Sequence, residues 1–142
     1  MVLYYINKLW RKIISAITSL WDHIVTWLIF KGNNVRFSSF RTGGIPYVMV
    51  AIRAKGISIG NNFAMNNGLR HNPIGCPQPC TFFVDRDASI EIGDNVGISQ
   101  ATLISHCSIK IGDNVKIGGG GCVYTSDFHS LDPIIRAGSE DQ

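Results

Sequence analysis

Three pentapeptides constrain this chain more than anything else in it: Ile59-Gly60-Asn61-Asn62-Phe63, Ile92-Gly93-Asp94-Asn95-Val96 and Ile111-Gly112-Asp113-Asn114-Val115. Around the last two, aliphatic residues recur every six positions at Ile92, Ile98 and Ile104, and again after a one-residue slip at Ile111, Ile117 and Val123. Six is not a helical period; it points to an internal repeat of short strands. Each unit offers one inward aliphatic, a Gly-Asp-Asn corner, and a second inward position four residues along, at Val96, Thr102, Ser108, Val115 and Gly121. Asn and Gly tolerate the left-handed backbone that a tight corner needs. An aliphatic at each strand start stacks on its counterpart one coil away, so the coils bury a continuous column. A hairpin meander is the plainer reading of β-branched residues broken by Gly-Asp, but meanders do not repeat one pentapeptide in register.

Composition sets the frame. The 142 residues are 45% hydrophobic and 16% charged, enough for one ordinary core. Fifteen glycines with five prolines exclude collagen and proline-rich linkers. The four cysteines, Cys76, Cys80, Cys107 and Cys122, are too few and too late for a disulfide scaffold, so a reducing, cytoplasmic setting is expected. The net charge of +3 is unevenly divided, because residues 1–42 hold Lys8, Arg11, Lys12, Lys31, Arg36 and Arg41 against Asp22 alone. The slightly acidic remainder, with its basic residues scattered singly, is no nucleic-acid footprint.

Residues 1–34 read as an amphipathic opening helix. Between Ile6 and Phe30, polar residues fall at Asn7/Lys8, Arg11/Lys12, Ser15, Thr18/Ser19, Asp22/His23 and Thr26, one stripe in steps of three or four. Trp10, Trp21 and Trp27 join the wide apolar face, and Lys31 with Gly32-Asn33-Asn34 supplies a basic last turn and a stop. No small-residue cleavage site follows a compact apolar run, which argues against a secretory signal. A spanning helix would have to bury the charged stripe. The apolar face then either packs on the rest of the protein or on a sister chain, or it lies in a membrane interface through residues 1–31, at the inner face of the membrane.

The repeat over roughly residues 50–136 resembles that of the hexapeptide-repeat acyltransferases, whose strands wind as a left-handed parallel β-helix. The handedness is what the resemblance implies; periodicity alone does not give it, and ordinary parallel crossovers are right-handed. The fold class expected is therefore mainly β, a left-handed parallel β-helix over residues 35–136 behind an amphipathic helix, with a loop insertion near residues 71–82. Within that superfamily, Gly68-Leu69-Arg70-His71-Asn72-Pro73-Ile74-Gly75 and Thr125-Ser126-Asp127-Phe128-His129-Ser130-Leu131-Asp132 look most like the bacterial maltose, galactoside and polysaccharide O-acetyltransferases. That resemblance implies acetyl-CoA as co-substrate with no bound cofactor, a sugar or polysaccharide-precursor hydroxyl as acceptor, and a homotrimer with its site between neighbours. N-acyl transfer, serine O-acetylation on the same scaffold, and a β-helix without catalysis are the alternatives.

His129 is the leading catalytic candidate. It sits past the last recognisable strand in a polar loop, where a core histidine has no packing reason to be, and a neutral imidazole can take a hydroxyl proton as the oxygen attacks a thioester. In the resembling family the histidine of the matching His-x-x-Asp-Pro motif does this directly. Asp127, two residues earlier, projects to the same side if the segment is extended, where it orients the imidazole, binds an acceptor hydroxyl, or is a solvated turn residue. Ser99 and His106 stand near places where the sugar acetyltransferases put acceptor-contacting Asn and Asp; both differ in type here, which implies a different acceptor or a different hold on it.

Other constellations read as structural. His106 and His129 lack the further histidine that the three-histidine metal site of gamma-class carbonic anhydrases needs. His71, Cys76 and Cys80 depart from zinc spacing and include Pro77 and Pro79, which suits a loop interrupting the coils, placed over the acceptor site. Cys107 and Cys122 read as corner or core residues rather than nucleophiles. The four glycines at 118–121 lack the context of a phosphate loop and suit close packing beneath the active site. The resembling proteins continue past Arg136 with further coils that supply most of the acetyl-CoA groove, whereas here a polar stub, residues 137–142, follows. The expectation is an N-terminal portion of a longer enzyme, with its C-terminal coils missing, or a natural truncation.

Overall fold

The computed structural model describes residues 1–138, so the polar stub lies outside the described residues from position 139 on. One long helix, α1 (Val2–Gly32), precedes twelve short strands: β1 (Arg36–Phe37), β2 (Phe40–Gly43), β3 (Tyr47–Val50), β4 (Gly56–Ile59), β5 (Phe63–Asn66), β6 (Thr81–Val84), β7 (Ser89–Ile92), β8 (Gly97–Ser99), β9 (Thr102–Ser105), β10 (Ser108–Ile111), β11 (Lys116–Ile117) and β12 (Cys122–Tyr124). A one-turn helix, α2 (Gly68–His71), interrupts them, and another, α3 (Pro133–Arg136), follows. The strands form three parallel sheets of four: β1-β4-β7-β10, β2-β5-β8-β11 and β3-β6-β9-β12. Every third strand returns to the same sheet, so the chain is a parallel β-helix of four coils with three faces and three corners.

The core is columnar. In sheet one Ile57, Ile90 and Ile109 stand in register, as do Ile59, Ile92 and Ile111. Met65 lies on Ile98 in sheet two, and Phe82 on Leu103 in sheet three. All of these are buried, each burial contributing about 1.5–3 kcal/mol before the ordering entropy is counted.

The third face departs from the six-residue spacing. Leu103 and Ser105 point inward there, while Thr102 and Ile104 face out; on the first face the next expected inward residue, Ser108, is exposed. Ile98 to Leu103 is five residues rather than six, and strand alternation then turns Thr102 and Ile104 outward, whereas Val123, in register with the inward Leu103, keeps its expected side. The spacing holds again at Ile109 and Ile111.

The pentapeptide forms the corner between sheets one and two. There the left-handed backbone falls on Asn62, Asn95 and Asn114, with φ of 54°, 59° and 62°, and not on the glycines. Gly60 and Gly93 are bare for another reason: a Cβ on either would meet the carboxylate of the next coil's aspartate, Asp94 or Asp113. Those carboxylates accept the backbone N–H of Asn61 at 2.6 Å and of Asp94 at 2.7 Å, and the Asn side chains continue the ladder, Asn62 Nδ2 to Asn95 Oδ1 at 3.0 Å and Asn95 Nδ2 to Asn114 Oδ1 at 3.2 Å.

The corner between sheets two and three carries the insertion, residues 67–80. Cys80 N–H donates to Asn67 Oδ1 at 2.7 Å and closes its base. The fully buried Gln100 anchors its middle, accepting from Asn72 Nδ2 at 2.8 Å and donating to the Asn72 and Cys76 carbonyls.

α1 covers the edge of the first coil, lying against β2. Its docked face is the polar one. Asp22, Thr26 and Phe30 are buried; Phe30 packs on Phe37 and Phe40 with centroids 5.6 and 5.1 Å apart, and His23 stacks on Phe40 at 4.5 Å. Asp22 Oδ2 accepts from Gly44 N–H at 2.9 Å and lies 3.4 Å from His71 Nε2. The wide apolar face with its three tryptophans is exposed, which corrects the expectation that it could pack on the rest of this chain. An edge strand needs cover, but the cover is set here by a carboxylate with two partners rather than by the largest apolar surface.

The corner geometry separates two glycines that the sequence makes look equivalent. Gly93→Ala is expected to destabilise the chain by about 1–3 kcal/mol, because Asp113 or its coil must shift. At Gly112 a Cβ meets nothing within 4 Å, so Gly112→Ala should change stability by less than about 0.5 kcal/mol. Thermal melts of the two variants measured side by side check this.

Candidate functional site

The corner between sheets three and one collects chemistry. Asp85 follows β6, His106 follows β9 and Thr125 follows β12, so stacking places them one above another on successive coils. His106 Nδ1 lies 2.9 Å from Asp85 Oδ2, and the His106 backbone N–H donates to Thr125 Oγ1 at 2.8 Å. Asp85 also accepts from Arg86 N–H at 2.7 Å; that bond first, and the His106 bond second, hold its carboxyl below the usual range. An ionised Asp85 accepts from Nδ1–H and so fixes the orientation of the ring. Nε2 is buried and has no hydrogen-bond partner among the described residues.

Aromatic side chains flank the His106 ring. Phe83 lies 5.7 Å from the His106 ring, and Phe128 meets it edge-on at 5.4 Å while also contacting Tyr124 at 5.5 Å. Tyr47, Thr81 and Ile104 complete an open depression of about 270 Å³ on the outer face of sheet three. Phe128 sits at φ 63°, a backbone region costly for a bulky residue, and its two ring contacts hold it there.

His129 is the next residue and is exposed, as is Asp127. The segment is not extended between them, because the left-handed Phe128 turns it, so the argument that put both side chains on one side does not apply. The Asp-Pro half of the His-x-x-Asp-Pro string has a local role: Asp132 Oδ1 accepts from Ile134 N–H at 2.8 Å and Pro133 takes the first helical position, which starts α3.

The structure thus brings His106 and the residues around His129 to one corner. Ser99 is elsewhere, on the outer face of sheet two, accepting from Asn66 Nδ2 at 3.2 Å. The insertion docks at the corner between sheets two and three, so within one chain it does not lie over His129. Its His71 turns toward Asp22, and Cys80 is buried, with its thiol pushed up by that burial. Cys107 is exposed beside His106, where hydrogen bonds with Thr125 and Ser108 N–H hold its thiol low, and Cys122 is exposed on β12.

Sequence reasoning missed Asp85, Thr125 and the aromatic surround. The signal was present: Asp85 precedes His106 by 21 residues and Thr125 follows it by 19, one coil in each direction. No protein-family model, curated protein or solved structure matches the chain.

The depressed Asp85 carboxyl gives a pH dependence with a definite sign. Its contribution to stability is present above the ordinary carboxylate range and is lost as the pH falls through the folded value. Asp85→Asn should lower the melting temperature at neutral pH, and the gap to the unchanged chain should close as the pH falls below the ordinary carboxylate range. Melting curves of both forms between acid and neutral pH test this.

Proposed function

We propose that this chain is an acetyl-CoA-dependent O-acetyltransferase, built on coils that wind left-handed, which moves an acetyl group to a sugar or polysaccharide-precursor hydroxyl with His129 as general base. The observation that carries the reading is the meeting of the histidine-bearing segment 125–132 with the Asp85–His106 pair at one corner of stacked parallel coils. The resemblance of that segment and of the repeats to the sugar acetyltransferases supplies the reaction class.

The chemistry asked of the residues is limited. The base takes the proton of the acceptor hydroxyl as its oxygen attacks the thioester carbonyl. A tetrahedral intermediate forms, the carbon–sulfur bond breaks, and the proton passes to the departing thiolate, so neither a metal nor a redox step is required. Asp127 binds an acceptor hydroxyl or orients the imidazole. His106, fixed by Asp85, lies beside the same segment and positions Phe128. Ser99 belongs to the reading only if a neighbouring chain brings it close, which is consistent with a cytoplasmic homotrimer whose site lies between subunits. The apolar outer face of sheet three is the surface such a neighbour would cover.

General-base catalysis is worth about 10²–10⁴-fold. In the intact protein, His129→Ala should therefore lower acetyl transfer at least about a hundredfold while leaving acetyl-CoA binding in place. The assay is thiol release from acetyl-CoA with a panel of sugar, amino-sugar and serine acceptors. Retained turnover removes His129 from the role, and turnover only on an amine or on serine moves the reading to the corresponding acyl transfer.

A further inference from the structure

We propose that α1 is an in-plane membrane anchor, which holds the β-helix against an anionic lipid surface with Trp10, Trp21 and Trp27 in the boundary between headgroups and acyl chains. The inference rests on α1 and its docking alone and does not depend on the acetyltransferase reading.

The first observation is the inverted docking. A helix laid on a folded body ordinarily turns its apolar stripe inward. Here Asp22, Thr26 and Phe30 face the coils, while Trp10, Ile17, Leu20, Trp21, Ile24 and Trp27 are all more than 40% exposed. Within an 18-residue window of mean hydropathy 1.5, only 17% is buried. An apolar strip along a 31-residue helix, about 46 Å long, is far larger than the patches water-soluble monomers leave open.

The second observation selects the occupant. Arg11 and Lys12 of α1 and Arg70 of the insertion line a concavity of about 510 Å³ beside Trp10, and no acidic residue lines it. Lys8 lies one turn earlier and Lys31 ends the helix, while the only acid of α1, Asp22, is engaged by Gly44 and His71. Lys8, Arg11 and Lys12 lie on the polar stripe, opposite the tryptophan strip, so a helix lying strip-down holds them at the level of the headgroups. Lipid phosphates would neutralise them, and tryptophan is the residue that favours the headgroup level.

The third observation sets the orientation. Phe30 is part of the core and Asp22 is hydrogen-bonded to β2's exit, so a spanning helix would have to unpack both and carry a carboxylate into hydrocarbon. Docked as it is, α1 runs alongside the body with its apolar face pointing away, which is the geometry of a helix lying in the surface.

The test uses the whole chain with vesicles of phosphatidylglycerol mixed with phosphatidylethanolamine, and with vesicles of phosphatidylcholine alone. Flotation and tryptophan emission report binding, and lipids brominated along the acyl chain report depth. The expected result is co-flotation with the anionic vesicles, a blue-shifted emission and quenching by bromines near the headgroup end. Arg11→Glu with Lys12→Glu should weaken that binding at least about tenfold. Leu20→Glu with Ile24→Glu should abolish it while leaving the circular dichroism and melting of the coils unchanged, since neither side chain is buried in the chain. Folded protein that stays in the aqueous fraction overturns the proposal, as does equal binding to neutral vesicles. A lipid-free oligomer that shields the tryptophans, and that the Leu20/Ile24 variant dissociates, overturns it in favour of a second copy.

Discussion

Everything in this fold depends on one coil finding the next in the right register, and the Gly-Asp-Asn corner enforces that register. The carboxylate of Asp94 or Asp113 reaches back over the glycine of the previous coil and accepts the N–H that follows it. Each bond is exposed and contributes only about 1 kcal/mol. Its importance is positional, because a slip of one residue would turn Ile90, Ile92 and Ile98 from the core to solvent. The apolar columns supply the magnitude of the stability, and the corner carboxylates decide which residues stand in them. Glycine is required because a side chain would occupy the space of the carboxylate.

That register is also what assembles the candidate site. Asp85, His106 and Thr125 come from three different coils and owe their proximity to stacking rather than to any local motif. His106 is held from below by a carboxylate and from above by a hydroxyl that accepts its backbone N–H. An imidazole held at Nδ1, on a residue whose backbone is itself tied to the next coil, keeps its orientation without help from a loop. The segment bearing His129 leaves from the same corner, and the strained Phe128 is clamped between the His106 and Tyr124 rings. The exposed histidine is therefore tethered to the fixed one by a single residue.

Much of this was legible in the sequence, and the parts that were not have physical causes. The pentapeptides announced coils, and the parallel sheets agree. The spacing misassigned Ile104, Thr102 and Ser108 because a period-of-six argument is blind to a turn that shortens by one residue, and strand alternation turns a one-residue error into the wrong side of the sheet. His106 was singled out, but its partner Asp85 was not, since the coil length of 19–21 residues varies and only the three-dimensional stack resolves it. The helix was visible as amphipathic, yet sequence alone placed no side of it. Amphipathicity says that two faces prefer different surroundings; it does not say which face the rest of the chain will meet.

The docking of α1 shows how a small number of directional contacts can outweigh a larger apolar area. Burying Trp21 and Leu20 against β2 would remove more apolar surface from water than burying Asp22 and Thr26 does. It would also leave Gly44 N–H without its acceptor and Phe40 without the His23 and Phe30 rings. A half-buried N–H that loses its partner costs about 1 kcal/mol, and an apolar strip has nothing to offer it. The coils accordingly take the narrow face of the helix that fits their polar edge, and the wide face remains for a surroundings that is itself apolar. The polar stripe thus fixes the rotation of the helix about its axis. The direction in which the tryptophans point follows from a carboxylate on the opposite side.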